Sequence, residues 1–214
     1  MNLLEIMNKT LVELNYKEIT DFDIDIKKPD NKRLLDVINR LNKDICILSD
    51  DFYFRQKVKE IELTNDRFEY SPNISGHISK IIAGTQEYKF ESDYSLFYKN
   101  TAPAYSFGSF GTKLLIAPTN AVAKVFYITD LFVEDATGEL KSDFKEADDK
   151  SIIPENFVEK LFINGAAFNF KQNTTHPKYN HWKMNFDSSV GKLTGNAKLF
   201  AGNHIIINGG FKKL

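Results

Sequence analysis

The sequence predicts an α+β protein. Helices from both ends of the chain are expected to form a helical body, the middle of the chain a central antiparallel β-barrel or sandwich, and the end of the chain a short strand. Two observations support this. Apolar residues recur at helical spacing near both ends, with a two-residue alternation between them. A composition of 42% hydrophobic and 27% charged residues over 214 positions is typical of a folded chain with a sizeable core.

The first region, residues 1–50, is predicted to hold two helices. Leu, Ile, Met and Val recur at helical spacing over residues 2–15 and again over residues 31–48. Asp30 or Asn31 is the expected N-cap of the second helix, because a side-chain oxygen there accepts an amide hydrogen bond from the first turn.

Between these helices, Asp21, Asp23 and Asp25 alternate with Phe and Ile, which predicts an extended segment with one polar face. The same spacing opens an EF-hand calcium loop. That loop requires glycine at its sixth position and a carboxylate at its twelfth, where this chain has Ile26 and Lys32. We therefore expect a solvated strand face and no metal.

The second region, residues 51–133, is predicted to form a β-rich barrel or sandwich of about five to seven strands. Its first feature is a hairpin in which Ile61 and Leu63 face Phe68 and Tyr70 across the polar turn "TND". Gly, Pro, Asn or Ser residues bound the further extended runs, which are "HISKIIAG", "YKFESDYSLFY", "TKLLIAP" and "AKVFYITDLFV".

Two further regions follow the β-rich one. Residues 134–151 are strongly charged and nearly free of large apolar side chains, which predicts an exposed loop. Residues 152–195 are predicted to form C-terminal helices, the first beginning at Pro154, where the missing N–H is tolerated. The small side chains around Gly165 are expected to allow close approach of another backbone. One face of this helix is predicted to carry Phe157, Leu161, Ala167 and Phe168.

The end of the chain is predicted to change from helix to strand. A final helix is expected from about residue 177 to residue 190, ended by Gly191 or Gly195. Residues 196–214 are expected to form a C-terminal strand and tail, because "HIIINGGF" is a short β-branched run followed by glycines.

Composition and motifs argue against several classes of function. A net charge of -1 is not that of a dedicated nucleic-acid binder. Cys46 is the only cysteine, and no run of about 18 apolar residues predicts a membrane span. His176 and His181 are five residues apart across a proline, so they do not share a helix face as zinc ligands. The segment "FGSFGTKLL" lacks the Gly-Lys-Ser/Thr order of a phosphate-binding loop and is predicted to be a turn between strands.

We therefore expect no enzyme activity, no cofactor and no metal, with a catalytic site assembled only by folding as the least favoured alternative. A series of aromatic residues favours another alternative, a β-rich carbohydrate- or receptor-binding module that stacks its ligand on exposed rings. The series consists of Phe90, Tyr94, Phe97, Tyr98, Tyr105, Phe107 and Phe110.

Four segments together resemble the tail tubular protein A family of short-tailed bacteriophages. "LLEIMNKTLVELNY" is similar to the first helix of that family, and "RLLDVINRLNKDICILSDDFYF" to the helix that enters an aromatic segment. "EIELTNDRFEYSPNISGHISKII" resembles its hairpin and following strand. The segment "VFYITDLFVEDATGELKSDFKEADDKSIIPENFVEKLFINGAAFNF" resembles its late strand, variable loop and proline-led helix.

The resemblance implies a structural virion protein of the neck or tail, assembled in the host cytoplasm. It implies a ring of twelve copies that joins the portal protein to the next tail ring or nozzle protein and surrounds the channel through which double-stranded DNA passes. Ile205, Ile206 and Ile207 are then expected to add a strand to a neighbouring sheet or portal edge. Other predicted partner-binding residues are Phe157, Leu161 and Phe168.

Overall fold

The computed structural model describes the backbone of residues 1–207 and the side chains of residues 1–196. Over this part of the chain the protein is α+β, as predicted, with six α-helices, a curled seven-stranded half-barrel sheet and a small three-stranded sheet. The chain forms two compact units. The helical unit contains residues 1–55 and the chain from residue 131 onward, and the β unit contains residues 56–130.

The helices of the described backbone include both helices predicted in the first region. A 3-10 turn, Tyr53–Arg55, follows the third helix. The α-helices are α1 (Leu3–Glu13), α2 (Phe22–Asp25), α3 (Pro29–Cys46), α4 (Ser95–Tyr98), α5 (Glu155–Lys171) and α6 (Tyr179–Ile207).

Side-chain caps explain where the first helices begin. At α1, the Asn2 side chain accepts the Glu5 amide at 2.9 Å and the Glu5 carboxylate accepts the Asn2 amide at 2.9 Å, which is a capping box. The predicted N-cap of α3 is wrong, because Pro29 takes the first helical position and Lys28 precedes it. Asn31 is instead buried, and its side chain donates to the Asp25 carbonyl oxygen at 2.9 Å.

The extended segment predicted around residues 21–25 is also wrong, since these residues form α2. The Asp21 carboxylate accepts the Ile24 amide at 3.2 Å and caps the helix. The Asp25 carboxylate accepts the amides of Thr20 and Asp21 at 3.0 and 3.3 Å. Aspartate competes for backbone amides in this way, and here that competition turns an alternating pattern into a helical turn.

The β unit contains strands where the extended runs predicted them, and a further strand at Ser106–Phe110, most of which belongs to the segment predicted to be a turn. The second half of "YKFESDYSLFY" forms α4 rather than strand. The sheet order is β1-β7-β3-β4-β5-β6-β2, and every pair is antiparallel except β4 with β5. The strands are β1 (Gln56–Leu63), β2 (Glu69–Tyr70), β3 (Gly76–Ala83), β4 (Gln86–Phe90), β5 (Ser106–Phe110), β6 (Lys113–Ile116) and β7 (Ala121–Thr129).

The hairpin predicted between β1 and β2 is wrong. Strand β1 pairs with β7 along its whole length, from Gln56 opposite Ile128 to Leu63 opposite Ala121, and β2 pairs with β6. The two strands are thus opposite edges of one sheet, joined by the short connection 64–68. Because so short a connection must bridge the two edges, the sheet curls around a core that includes Ile81, Val125 and Ile116.

The prediction of an exposed loop over residues 134–151 is wrong in part, because most of these residues are exposed but the segment contains strands and two buried side chains. Three short strands, β8 (Val133–Glu134), β9 (Leu140–Lys141) and β10 (Lys150–Ser151), form the small sheet of the helical unit. Phe144 is fully buried against Phe162. The Asn39 side chain on α3 accepts the Phe144 amide at 2.7 Å and donates to its carbonyl at 3.2 Å.

A buried carboxylate fixes the chain just before β10. The Asp149 carboxylate accepts the amides of Lys145 and Glu146 at 2.6 and 2.8 Å and forms an ion pair with Lys141 at 2.6 Å. Buried charges require such partners. The buried ring of Phe144 and the satisfied carboxylate of Asp149 thus contribute to the packing of this charged segment.

Helix α5 lies at the centre of the helical unit and packs against α1, α3 and α6. A Cβ atom at Gly165 would lie 2.7 Å from a methyl carbon of Leu41 on α3 and 2.9 Å from a ring carbon of Phe186 on α6. The expected close approach at this glycine is thus made by side chains of two neighbouring helices rather than by a backbone.

Helix α6 is longer than predicted, because it continues through Gly191 and Gly195 to Ile207. Neither glycine takes the positive φ of a helix-ending residue. The predicted strand is therefore wrong for residues 204–207, and residues 208–214 lie outside the described residues. Within the described helices, none combines the length and apolar character required to cross a membrane.

Candidate binding surfaces

A cleft of about 430 Å³ opens in the β unit where the curled sheet divides. Strand β3 pairs with β7 from Gly76 to Ala83 but with β4 only at Ile81–Ala83. The end of β4 pairs with β5 instead. The first half of β3 thus lacks a second strand neighbour among the described residues. Its part of the cleft lining is Gly76, His77, Ile78 and Ser79, and the facing strands contribute Phe90, Phe107, Ser109, Lys113 and Leu114.

One of the side chains that line this cleft is an exposed aromatic ring. Phe90 is 63% exposed, and its ring contacts the buried ring of Phe107 edge-on at a centroid distance of 5.6 Å. Tyr94 and Phe110 are also exposed and pack together at 4.7 Å. Of the predicted aromatic series, Phe97 and Phe107 belong to the buried residues, and the other five rings are exposed.

The charges beside the cleft are paired. Lys113 forms an ion pair with Glu69 at 2.7 Å, and the Tyr98 hydroxyl donates to the same carboxylate at 3.2 Å. The Lys113 ammonium holds the pKa of Glu69 below its ordinary value, and Glu69 in turn raises the pKa of Lys113. The lining therefore offers apolar surface and hydroxyl groups rather than an unpaired charge, which suits an uncharged ring or an apolar segment.

A second concave surface lies on the helical unit. We call it the α1/α5 groove, and its volume is about 530 Å³. Val12, which is 55% exposed, lies in the groove together with the partly exposed Leu4 and Ile163. The groove is also acidic, because its lining includes Lys9 and four carboxylates, those of Glu5, Glu13, Glu18 and Glu159.

Some of these carboxylates already have partners. Glu159 pairs with Lys9 at 3.0 Å. Glu13 accepts hydrogen bonds from the Trp182 indole and the Lys178 ammonium, both at 2.9 Å, and these bonds lower its pKa. Glu13 thus joins the end of α1 to the start of α6. Even so, the groove keeps an excess of negative charge around an apolar floor.

The α1/α5 groove was not predicted from the sequence. Val12 is one of the apolar positions that predict the first helix, but it is exposed, whereas Leu11 beside it is buried. Consecutive apolar residues of one helix can both be buried, as Ile6 and Met7 are, so the sequence held no signal that Val12 would be exposed.

The predicted partner-binding residues lie in different environments. Leu161 is fully buried in the helical core and does not reach the surface, whereas Phe157 and Phe168 are half-buried against that core. The side chains of Ile205, Ile206 and Ile207 lie outside the described residues, and their backbone forms the last turn of α6. A partner-binding role for these residues stays a prediction.

The reactive side chains are held apart. Burial raises the pKa of the Cys46 thiol to about 12, so this cysteine is not an activated nucleophile. Asp25 is bonded to two backbone amides and Lys28, and Asp21 caps α2. No group of three or more potential metal ligands among His, Cys, Asp and Glu occurs in the part of the chain whose side chains are described.

Neither comparison with known proteins places the chain in a family: no protein-family model matches the sequence, and a search of curated proteins returns no match.

Proposed function

We propose that this chain is the subunit of a homo-oligomeric ring, of twelve copies, that connects the portal protein to the tail of a short-tailed bacteriophage. The observation that supports this most directly is that each of the two units exposes large apolar side chains. On the helical unit these include Val12, Ile24, Ile47, Leu48 and Met184, and on the β unit Val58, Phe90, Tyr94, Phe110 and Val122. Exposed apolar side chains are characteristic of proteins that assemble where they adjoin one another, as Tyr94 and Phe110 do at a ring distance of 4.7 Å.

A ring subunit needs separate contacts for its neighbours and for its axial partners. In the proposed arrangement, helices from both ends of the chain form the body of the ring, and unlike flanks of adjacent copies meet around it. Such heterologous contacts form a closed ring when the rotation between copies closes. The β unit then faces the next tail ring or nozzle protein with its aromatic residues.

The overall charge suits a conduit for DNA. The chain carries 28 basic and 29 acidic side chains. A strongly basic lining would hold double-stranded DNA through counterion release, with an affinity that falls steeply with salt. A near-neutral wall allows DNA to pass without that retention.

The first test is the native mass of the purified chain, measured by mass photometry alone and with the portal protein of the same phage. We expect a closed species near twelve times the chain mass of 24.6 kDa, either alone or on the portal. A stable monomer that does not bind the portal would overturn the proposal.

A second candidate function, a carbohydrate- or receptor-binding tail module, is favoured by the exposure of Phe90 beside the hydroxyl-bearing cleft. For such a module we expect a monomer or trimer that is retained on an immobilised glycan. Phe90→Ala should then abolish retention, whereas Tyr53→Ala, at an exposed ring of the helical unit, should not. A large closed oligomer that no glycan retains would exclude this candidate.

A further inference from the structure

The course of α6 carries residues 197–207 past the start of α5. The ring of Phe168 on α5 contacts Tyr179 and Phe186 on α6, and near the start of α5 the side chain of Phe157 lines one small pocket together with Leu193. The two helices therefore run antiparallel. By Asn196, α6 has reached the first turn of α5, and its remaining residues, 197–207, continue for about 16 Å.

The sequence of this C-terminal arm, residues 197–214, is apolar and basic. It contains Lys198, Lys212 and Lys213 and no Asp or Glu. The arm also contains six large apolar residues, Leu199, Phe200, Ile205, Ile206, Ile207 and Phe211, followed by Leu214. Seven of its 18 residues are thus large and apolar.

The α1/α5 groove has the complementary character. Its apolar floor includes the exposed side chain of Val12, and its carboxylates exceed its single lysine. Amphipathic helices bind such grooves through apolar anchors, and opposite charges around the contact select the partner.

The described part of the arm, residues 197–207, does not lead toward the groove of the same chain. Helix α1 runs parallel to α5, since the Met1 amino group pairs with Glu155 and Tyr16 packs on Phe170. The helical part of the arm therefore leads away from the start of α1, whereas the groove extends from Leu4 toward Glu18. A second copy is thus the occupant that the geometry favours.

We propose that the C-terminal arm of one copy docks in the α1/α5 groove of the next. The contact joins two different surfaces, so each copy offers one groove and one arm and the contacts can continue around a ring. This inference rests on the proposed ring and names the interface that would close it.

The test uses charge reversal in the full-length chain. The groove variant is Glu18→Lys with Glu159→Lys, and the arm variant is Lys212→Glu with Lys213→Glu. Each is expected to abolish the closed oligomer seen by mass photometry, and the chain that carries all four substitutions is expected to recover it. A matched control, Asp36→Lys with Asp44→Lys, reverses two exposed carboxylates of α3 outside the groove and should leave assembly intact.

Assembly that survives both reversals would overturn the docking inference and leave the ring proposal standing. If the wild-type chain stays monomeric with and without the portal protein, the ring proposal fails. A synthetic peptide of residues 197–214 then decides the docking inference separately. Binding to the wild-type chain that weakens by about tenfold or more with the groove variant supports it, and equal binding or none overturns it.

Discussion

At the scale of single residues, Asp25 shows how one carboxylate organises a connection between helices. It accepts the amides of Thr20 and Asp21 and pairs with Lys28, while its carbonyl oxygen accepts a hydrogen bond from the buried Asn31 side chain. These bonds, the one from Lys28 foremost, lower the pKa of Asp25 to about 2. The carboxylate therefore stabilises the turn between α1 and α3 in its ionised form.

This lowered pKa predicts a pH dependence. In an unfolded chain an Asp has a pKa near 3.9. The folded state binds the proton less tightly, so the stabilisation is fully present above about pH 4 and is lost as the pH falls toward 2. Asp25→Asn should lower the free energy of unfolding by the same amount at pH 7 and pH 5, and by less at pH 3. Urea unfolding followed by the fluorescence of Trp182 measures these differences.

The exposed neighbour Asp23 provides the control for this experiment. Asp23→Asn removes an equal charge without removing the bonds to Thr20 and Asp21. Its effect on stability should be small at all three pH values. A difference between Asp25→Asn and wild type that stays constant down to pH 3 would contradict the assigned role.

At the scale of elements, α5 depends on one glycine to approach two neighbours at once. The side chains of Leu41 and Phe186 fill the space that a Cβ atom at Gly165 would occupy. Glycine weakens a helix interior by roughly 0.5–1 kcal/mol relative to alanine. Its presence here is explained by packing, because α3 and α6 meet α5 at the same position.

Gly165→Leu should therefore destabilise the protein by about 1–3 kcal/mol, the usual effect of overfilling a packed core. Gly191→Leu is the matched control, since nothing lies within 4 Å of a Cβ atom there and the residue is exposed on α6. Removing that helical glycine should stabilise the protein by about 0.5–1 kcal/mol. Thermal unfolding of both variants measures the contrast, and equal melting temperatures would show that α5 does not need a glycine.

The elements also show what sequence patterns can predict. Helices α1, α3 and α5 follow from their apolar spacing, because each buries one face in the core. The partner of β1 does not follow from its alternation, since β7 offers a longer pairing than the adjacent β2. Phe144 and Asp149 pack a charged segment through contacts with α3 and with nearby backbone amides, and composition does not reveal such contacts.

The candidate binding surfaces could likewise be predicted from the sequence only in part. The aromatic series near residue 90 was visible in the sequence, but which rings are exposed depends on how the sheet divides beside β3. The α1/α5 groove requires two helices that are distant in the chain, and the sequence gives their apolar faces without their relative placement.

At the scale of the whole molecule, the chain builds two separate cores. The helical core includes Leu161, Phe162 and Trp182, the β core includes Ile81 and Val125, and no buried residue belongs to both. The β unit is inserted between Arg55 and Leu131 of the helical unit. Each unit therefore has the apolar interior that a cooperative folding unit requires.

Because the two cores are separate, a substitution in one core should destabilise only the unit that contains it. Hydrogen exchange of the folded protein, analysed peptide by peptide, measures this. Leu161→Ala removes a fully buried side chain of α5 and should lower local stability by about 2–5 kcal/mol. Amides of α1, α3 and α5 should then exchange faster, and those of β3 and β7 should not. Ile81→Ala should produce the reverse pattern, so each variant is the control for the other. Faster exchange in both units with either variant would mean that they unfold as one, because a substitution accelerates only the amides whose opening it destabilises.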